Sequence, residues 1–224
     1  MPGNNKFRED LEDLVKKLSP KIKARAILNG LMYKLTLLHK KGRVKINHSV
    51  MEIVVAHYLL RKGYVYVDVE HIIGGNLICD VYGIKGDGSI IVEVETGFTP
   101  PESSLDPFQY LTARIASKIA RYGAHAEKFS LATPPFYTPP IHPLLLKPPR
   151  ERSRGEIKIL KSLLDKYYKN PPISEKDIQN ARLHSILIVN VDLGMVEEID
   201  PEHYIEDLKD IYWKYISSYT ISPH

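Results

Sequence analysis

Between Tyr64 and Thr96 the chain runs through three segments in which apolar and other residues alternate: YVYVDVEHII (64–73), LICDVYGI (77–84) and SIIVEVET (89–96). Gly74-Gly75-Asn76 separates the first two and Lys85-Gly86-Asp87-Gly88 the last two, both good hairpin-turn sequences. A period of two interrupted by such short turns predicts an antiparallel three-stranded meander. The meander carries acids where a half-buried strand would place aliphatics: Asp80 on its second segment, Glu93 and Glu95 on its third.

A two-residue turn at Gly86-Asp87 sets Asp80 directly across from Glu93, with Cβ atoms about 4.5–5.5 Å apart and facing the same way. Glu95, two residues on, shares that face, and Cys79, Val81, Val92 and Val94 are predicted on the other. Like charges so opposed repel by about 3 kcal/mol at an effective dielectric near 20. A hard divalent cation would compensate them, since Mg²⁺ or Mn²⁺ takes carboxylate oxygens. The alternative is an exposed strand face whose charges splay into water.

The rest of the chain frames this hairpin with helices. Helices are predicted at 6–18, 20–41 and 48–62, then at 103–123, followed by a strand at 128–133. Seven prolines in 134–154 predict a surface excursion. After it come a helix at 155–169, a turn at Asn170-Pro171-Pro172, a strand at 185–191 and a final helix at 201–217. The fold class is α/β in the α+β sense, a mixed central sheet flanked by helices. One domain spans 1–224: a basic helical extension (1–47), a core (48–133), a Pro-rich and helical insertion (134–180), and a closing strand and helix (181–224).

Charge is unevenly spread. The net of +4 hides an excess of nine positive charges in residues 1–62 against a deficit of five beyond them, and no Asp or Glu occurs from Val15 to Met51. Lys21, Lys23, Arg25, Lys34, Lys40, Lys41, Arg43 and Lys45 suit phosphate backbones, with a solvated basic helix as the alternative. Lys147, Arg150, Arg152 and Arg154 could add phosphate contacts from the Pro-rich segment. The lone Cys79 excludes an internal disulfide and a Cys-based metal site, and the nine histidines show no zinc spacing, so none is assigned to a metal. There is no phosphate-binding or dinucleotide fingerprint, hence no nucleotide cofactor, and no membrane span or secretory leader, hence an intracellular, cytoplasmic protein. Abundant Ile, Tyr and Lys with only two Gln point to a thermophilic source.

The order helix, three-stranded meander, helix, strand, with Asp80 on the second strand and Glu93-Val94-Glu95 on the third, resembles the PD-(D/E)XK nuclease superfamily. It is similar in particular to small archaeal members, Holliday junction resolvases and nucleases of crenarchaeal viruses among them. The resemblance covers Ser49 to Thr133. It implies a restriction-endonuclease-like core and a Mg²⁺- or Mn²⁺-dependent DNA endonuclease acting on branched or duplex DNA. Asp80, Glu93, the Val94 carbonyl and Glu52 then match metal ligands. Glu95 stands where the family usually has lysine and would help hold the metal or orient the attacking water; Lys118, on the next helix, is the candidate substitute for that lysine. Cys79 stands at the name-giving proline, and Gln109 and Tyr110 lie where members often carry a Gln-containing helical motif.

Two other functions stay open: a nucleic-acid-binding protein that keeps the scaffold without cleavage, and an assembly protein using a Tyr-rich final helix (Tyr204, Leu208, Ile211, Tyr212, Tyr215). A homodimer is expected, because one such site cuts one strand. Its contact would use that stripe or Ile157, Leu160, Leu163, Leu164 and Tyr167.

Overall fold

The computed structural model describes residues 2–18, 20–75 and 77–207. In chain order these form α1 (Pro2–Lys17), α2 (Ile22–Lys40), α3 (Ile46–Arg61), β1 (Tyr66–Gly74), β2 (Leu77–Lys85), β3 (Gly88–Val94), α4 (Pro107–Tyr122), β4 (Lys128–Thr133), α5 (Arg154–Tyr167), α6 (Glu175–Asn180), β5 (Ser185–Asn190), β6 (Met195–Ile199) and α7 (Pro201–Asp207). All six strands share one mixed sheet in sequence order. β1, β2 and β3 are the antiparallel meander, β3 to β5 run parallel, and β6 returns antiparallel on β5. No helix among the described residues is long and apolar enough to cross a membrane.

Each sheet face has its own apolar core. α1, α2 and α3 cover one face, where Leu28, Leu35, Ile53, Val55 and Leu59 pack on Val69, Val81, Val92 and Val94. α4, α5 and α6 cover the other, where Ala113, Ile115, Ala116 and Ile119 pack with Leu160, Leu164 and Ile178 on Ile91, Phe129, Leu131 and Ile186. The alanines of α4 let that helix lie close to the sheet, which brings its polar side chains within reach of the strand ends. Buried on both faces, the central strands read as apolar runs, as parallel strands do.

The structure departs from the sequence reading in several places. Cys79 lies in the α4-side core, apart from Val81, Val92 and Val94. Strand alternation breaks beside it: Val69 pairs with Val81 and His71 with Cys79, but Glu70 between them has φ of +47°. The Pro-rich segment is not a surface excursion. Ile141, Leu144 and Leu145 are buried in the α4-side core, because proline forbids regular structure but not burial. α4 starts at Pro107, the preferred first-turn position for proline, after a short 3-10 turn at Pro101–Ser103. α6 and β6 were not anticipated; β6 is an acid-rich, largely exposed edge strand. The α5 stripe is spent within the chain: Ile157, Leu160 and Leu164 are buried, with Leu163 and Tyr167 packed against the same core. Tyr204 is buried there too, whereas Leu208, Ile211, Tyr212 and Tyr215 lie outside the described residues.

Candidate metal and acid site

The hairpin register is the one read from the turn: Lys85 pairs with Gly88 and Val81 with Val92. Regular pairing stops there, and side chains take over the ladder. The Asp80 N–H donates to Glu93 Oε1 at 3.1 Å, and the Val94 N–H donates to Asp80 Oδ2 at 2.6 Å. Glu93 and Glu95 project from the C-terminal end of β3, towards α4.

The repulsion among these acids is met by α4. Lys118 Nζ lies 3.2 Å from Glu93, 3.5 Å from Asp80 and 3.8 Å from Glu95, and it donates to the Val94 carbonyl at 2.7 Å. Arg114, one turn earlier on the same face, places Nε 2.9 Å from Glu95 Oε2. Lys118 is 15% exposed on its side chain, Glu93 3% and Glu95 0%. Burial opposes charge on Lys118, but Asp80, Glu93 and Glu95 outweigh it and hold the ammonium well above its ordinary pKa. Glu93 is pushed up by burial and by Asp80, with Lys118 opposing. Lys118 therefore faces the acids instead of solvent. Glu95, buried against Arg114, is a brace more than a group that meets water.

A second cluster adjoins the first through Asp80. One ligand atom from each of His48, Glu52, Glu70 and Asp80 lies within 4.8 Å of the others. Glu52, on α3, is fully buried, so its carboxylate is no ordinary surface position. Its Oε1 is 3.0 Å from His48 Nδ1, while Oε2 has no hydrogen-bond partner. His48 Nε2 contacts the Val94 carbonyl at 3.1 Å and lies 3.8 Å from Asp80 Oδ2. His48 is raised to about 9: burial opposes the charge, and the Glu52 hydrogen bond and the Asp80 carboxylate overcome it. Burial also raises Glu52, to about 7, with the His48 hydrogen bond opposing the rise and the like charge of Asp80 adding to it. With both ring nitrogens against acceptors, the doubly protonated imidazolium of His48 satisfies both contacts.

His48, assigned to no metal from the sequence, is brought by the structure into a cluster that could hold one. Its signal was the His48-x-x-x-Glu52 spacing, which puts both side chains on one helical face. Glu70 was also missed; its positive φ, rare for a residue with a side chain, marks local strain. Three carboxylates and an imidazole, one carboxylate oxygen among them buried and unsatisfied, fit a divalent cation. Of the expected ligands, Asp80 and Glu52 fall in this set, Glu93 sits on Lys118, and the Val94 carbonyl lies between Lys118 Nζ and His48 Nε2.

Among the basic residues, Lys21, Lys23, Arg25, Lys40, Lys41, Arg43 and Lys45 are exposed. Lys34 is drawn inward, 2.9 Å from both oxygens of Asp68, and does not join them. α2 separates the Lys21 end from the Lys40 end by about 28 Å. Only the latter adjoins the site: Lys45 caps α3, which carries His48 and Glu52. On the Pro-rich segment Arg152 is buried and donates to the carbonyls of Leu145, Lys147, Ile178 and Gln179, so it is a structural clamp, not a phosphate contact. Lys147 pairs with Glu156, and Arg150 with Glu151 at 3.5 Å. Gln109 and Tyr110 lie on the first turn of α4, Tyr110 edge-on to Tyr167. Comparison with protein-family models, with curated proteins and with solved structures found no match.

Proposed function

We propose that the protein is a metal-dependent DNA endonuclease of the PD-(D/E)XK type, with a restriction-endonuclease-like core built from α3, the meander, α4 and β4. The observation that carries this reading is the position of Asp80, which belongs to both clusters: it is 3.5 Å from Lys118 and stands among His48, Glu52 and Glu70. His48, Glu52, Glu70 and Asp80 would hold the cation, and an imidazole among oxygen ligands favours Mn²⁺ over Mg²⁺. When bound, such an ion polarises a phosphodiester and lowers the pKa of a water.

The chain's own residues do the rest. Lys118 offers the ammonium that the third-strand motif lacks, poised between Asp80 and Glu93 to meet a phosphate oxygen or the attacking water. Arg114 holds Glu95 in place through the 2.9 Å contact of its Nε. Lys40, Lys41, Arg43 and Lys45 supply phosphate contacts beside the opening. The test is incubation of labelled linear, nicked, flapped and four-way DNA with Mn²⁺ or Mg²⁺. Cleavage that requires metal and is lost in Asp80→Asn supports the reading; no cleavage of any substrate overturns it. A second reading, DNA binding without cleavage, is favoured by Lys118 already neutralising Glu93, and the same assay separates the two.

A further inference from the structure

The candidate site lies at the C-terminal end of β3, beside that of its parallel neighbour β4, the usual place for ligands on such sheets. The loops leaving those ends touch. A Cβ on Gly97, whose φ is +77°, would lie 2.6 Å from the Tyr137 ring, so Gly97 lets the two loops close on each other. Each loop then presents a phenylalanine to solvent beside that contact: Phe98 is 57% exposed and Phe136 87%. Phe7 and Phe129, by contrast, are buried in the cores.

Phe98 stands next to the acids and the basic end of α2, and Phe136 follows on the loop that touches its own at Gly97 and Tyr137. Arg114 Nη1 donates to the Phe98 carbonyl at 3.3 Å, and its Nε is on Glu95. Lys45 Nζ sits 5.6 Å from the centre of the Phe98 ring, so the Lys40 to Lys45 segment borders the same rim. Exposed aromatic faces alternating with cations beside a phosphate-handling centre are the arrangement that binds unpaired strands: cations track the backbone and rings stack on bases. A continuous duplex hides those base faces.

Resting on the nuclease reading, we infer that Phe98 and Phe136 form a stacking rim for unpaired bases next to the phosphate in the acid site, so that the substrate is DNA with a single-stranded segment at the cleavage point.

The test uses one sequence as single strand, splayed fork and blunt duplex. Binding is measured by fluorescence anisotropy in EDTA, and 2-aminopurine is placed along the unpaired arm. The wild type should bind fork and single strand about 10-fold or more tightly than duplex, with quenching confined to positions next to the junction. The double variant Phe98→Ala/Phe136→Ala should lose about 10- to 100-fold on the fork, little on the duplex, and the quenching. Phe98→Tyr/Phe136→Tyr should restore both. Unchanged fork binding and quenching in the double Ala variant overturns the rim, and the nuclease reading survives if the wild type still cleaves with Mn²⁺. Failure of the wild type to bind any of the three DNAs overturns both.

Discussion

Replacing Lys118 with Met keeps all but the last atom of the unbranched side chain, removes its charge, and leaves Asp80, Glu93 and Glu95 around an apolar group. At the 3.2 Å separation of Lys118 and Glu93, a unit pair is worth about 5 kcal/mol gross at a dielectric near 20. Desolvation takes back much of that, and breaking a buried pair from one side costs about 3–5 kcal/mol net. The cost depends on pH. Glu93 has a folded pKa raised above its ordinary value by burial and Asp80, and Lys118 opposes that rise. Between its unfolded and folded pKa such a group binds more protons in the folded state, so its contribution to stability falls as pH rises through that window. Without Lys118 the window extends further upward. Wild type and Lys118→Met should therefore lose stability in parallel up to about pH 8, where the wild-type Glu93 gives up its proton, and above that the variant should fall further behind by up to about 1.4 kcal/mol per pH unit for each proton involved. Urea unfolding in EDTA across that range measures it, and Glu93→Gln added to Lys118→Met should recover much of the loss. A deficit no larger at about pH 9.5 than at about pH 7 would refute the reasoning.

Asp80→Asn should abolish metal-dependent cleavage, by about 100-fold or more, with an unchanged circular dichroism spectrum; wild-type cleavage would remove the site assignment. His48→Gln should weaken Mn²⁺ binding by about 10- to 100-fold and Mg²⁺ binding less, measured by calorimetry without DNA; equal losses would mean that the imidazole is not a ligand. Replacing Lys40, Lys41, Arg43 and Lys45 with Ala should reduce the slope of log K against log salt for duplex DNA by about 0.9 for each phosphate no longer neutralised, whereas Lys34→Ala should leave it unchanged. Arg152→Ala should destabilise the fold by about 2–4 kcal/mol in chemical denaturation, because several buried carbonyls lose their donor, and Arg150→Ala by less than about 0.5 kcal/mol.

The hairpin was legible because Gly86-Asp87 fixes a register that nothing distant can shift. From it followed the approach of Asp80 to Glu93 and Glu95. Local periodicity likewise gave α1 to α5 and β1 to β5 to within a few residues at their ends. The partners of the acids were another matter. Lys118 was a candidate only through resemblance, and its burial depends on the small residues of α4 seating that helix against the sheet. His48 and Glu52 announce themselves by spacing, but their meeting with Asp80 is a tertiary fact, and the turn of backbone at Glu70 leaves no trace in composition. The Pro-rich segment misled because proline density reports what a backbone cannot do, while Ile141, Leu144 and Leu145 decide where it goes. Similarly, the acids of β6 conceal a strand that needs only one covered face.

The replacement of ladder bonds by carboxylates at the end of the hairpin provides two built-in spectroscopic reporters. The amide protons of Val94 and Asp80 point at Asp80 Oδ2 and Glu93 Oε1. Their chemical shifts and exchange rates thus track the charge on those oxygens directly. Titrating cation or acid against the isotope-labelled protein would register occupancy of the site at two backbone positions without substrate and without turnover. The same bonds mean that removing either acceptor frees a backbone donor, so a shortened side chain such as alanine at Asp80 unzips the strand end, while asparagine keeps an oxygen there and leaves the ladder closed.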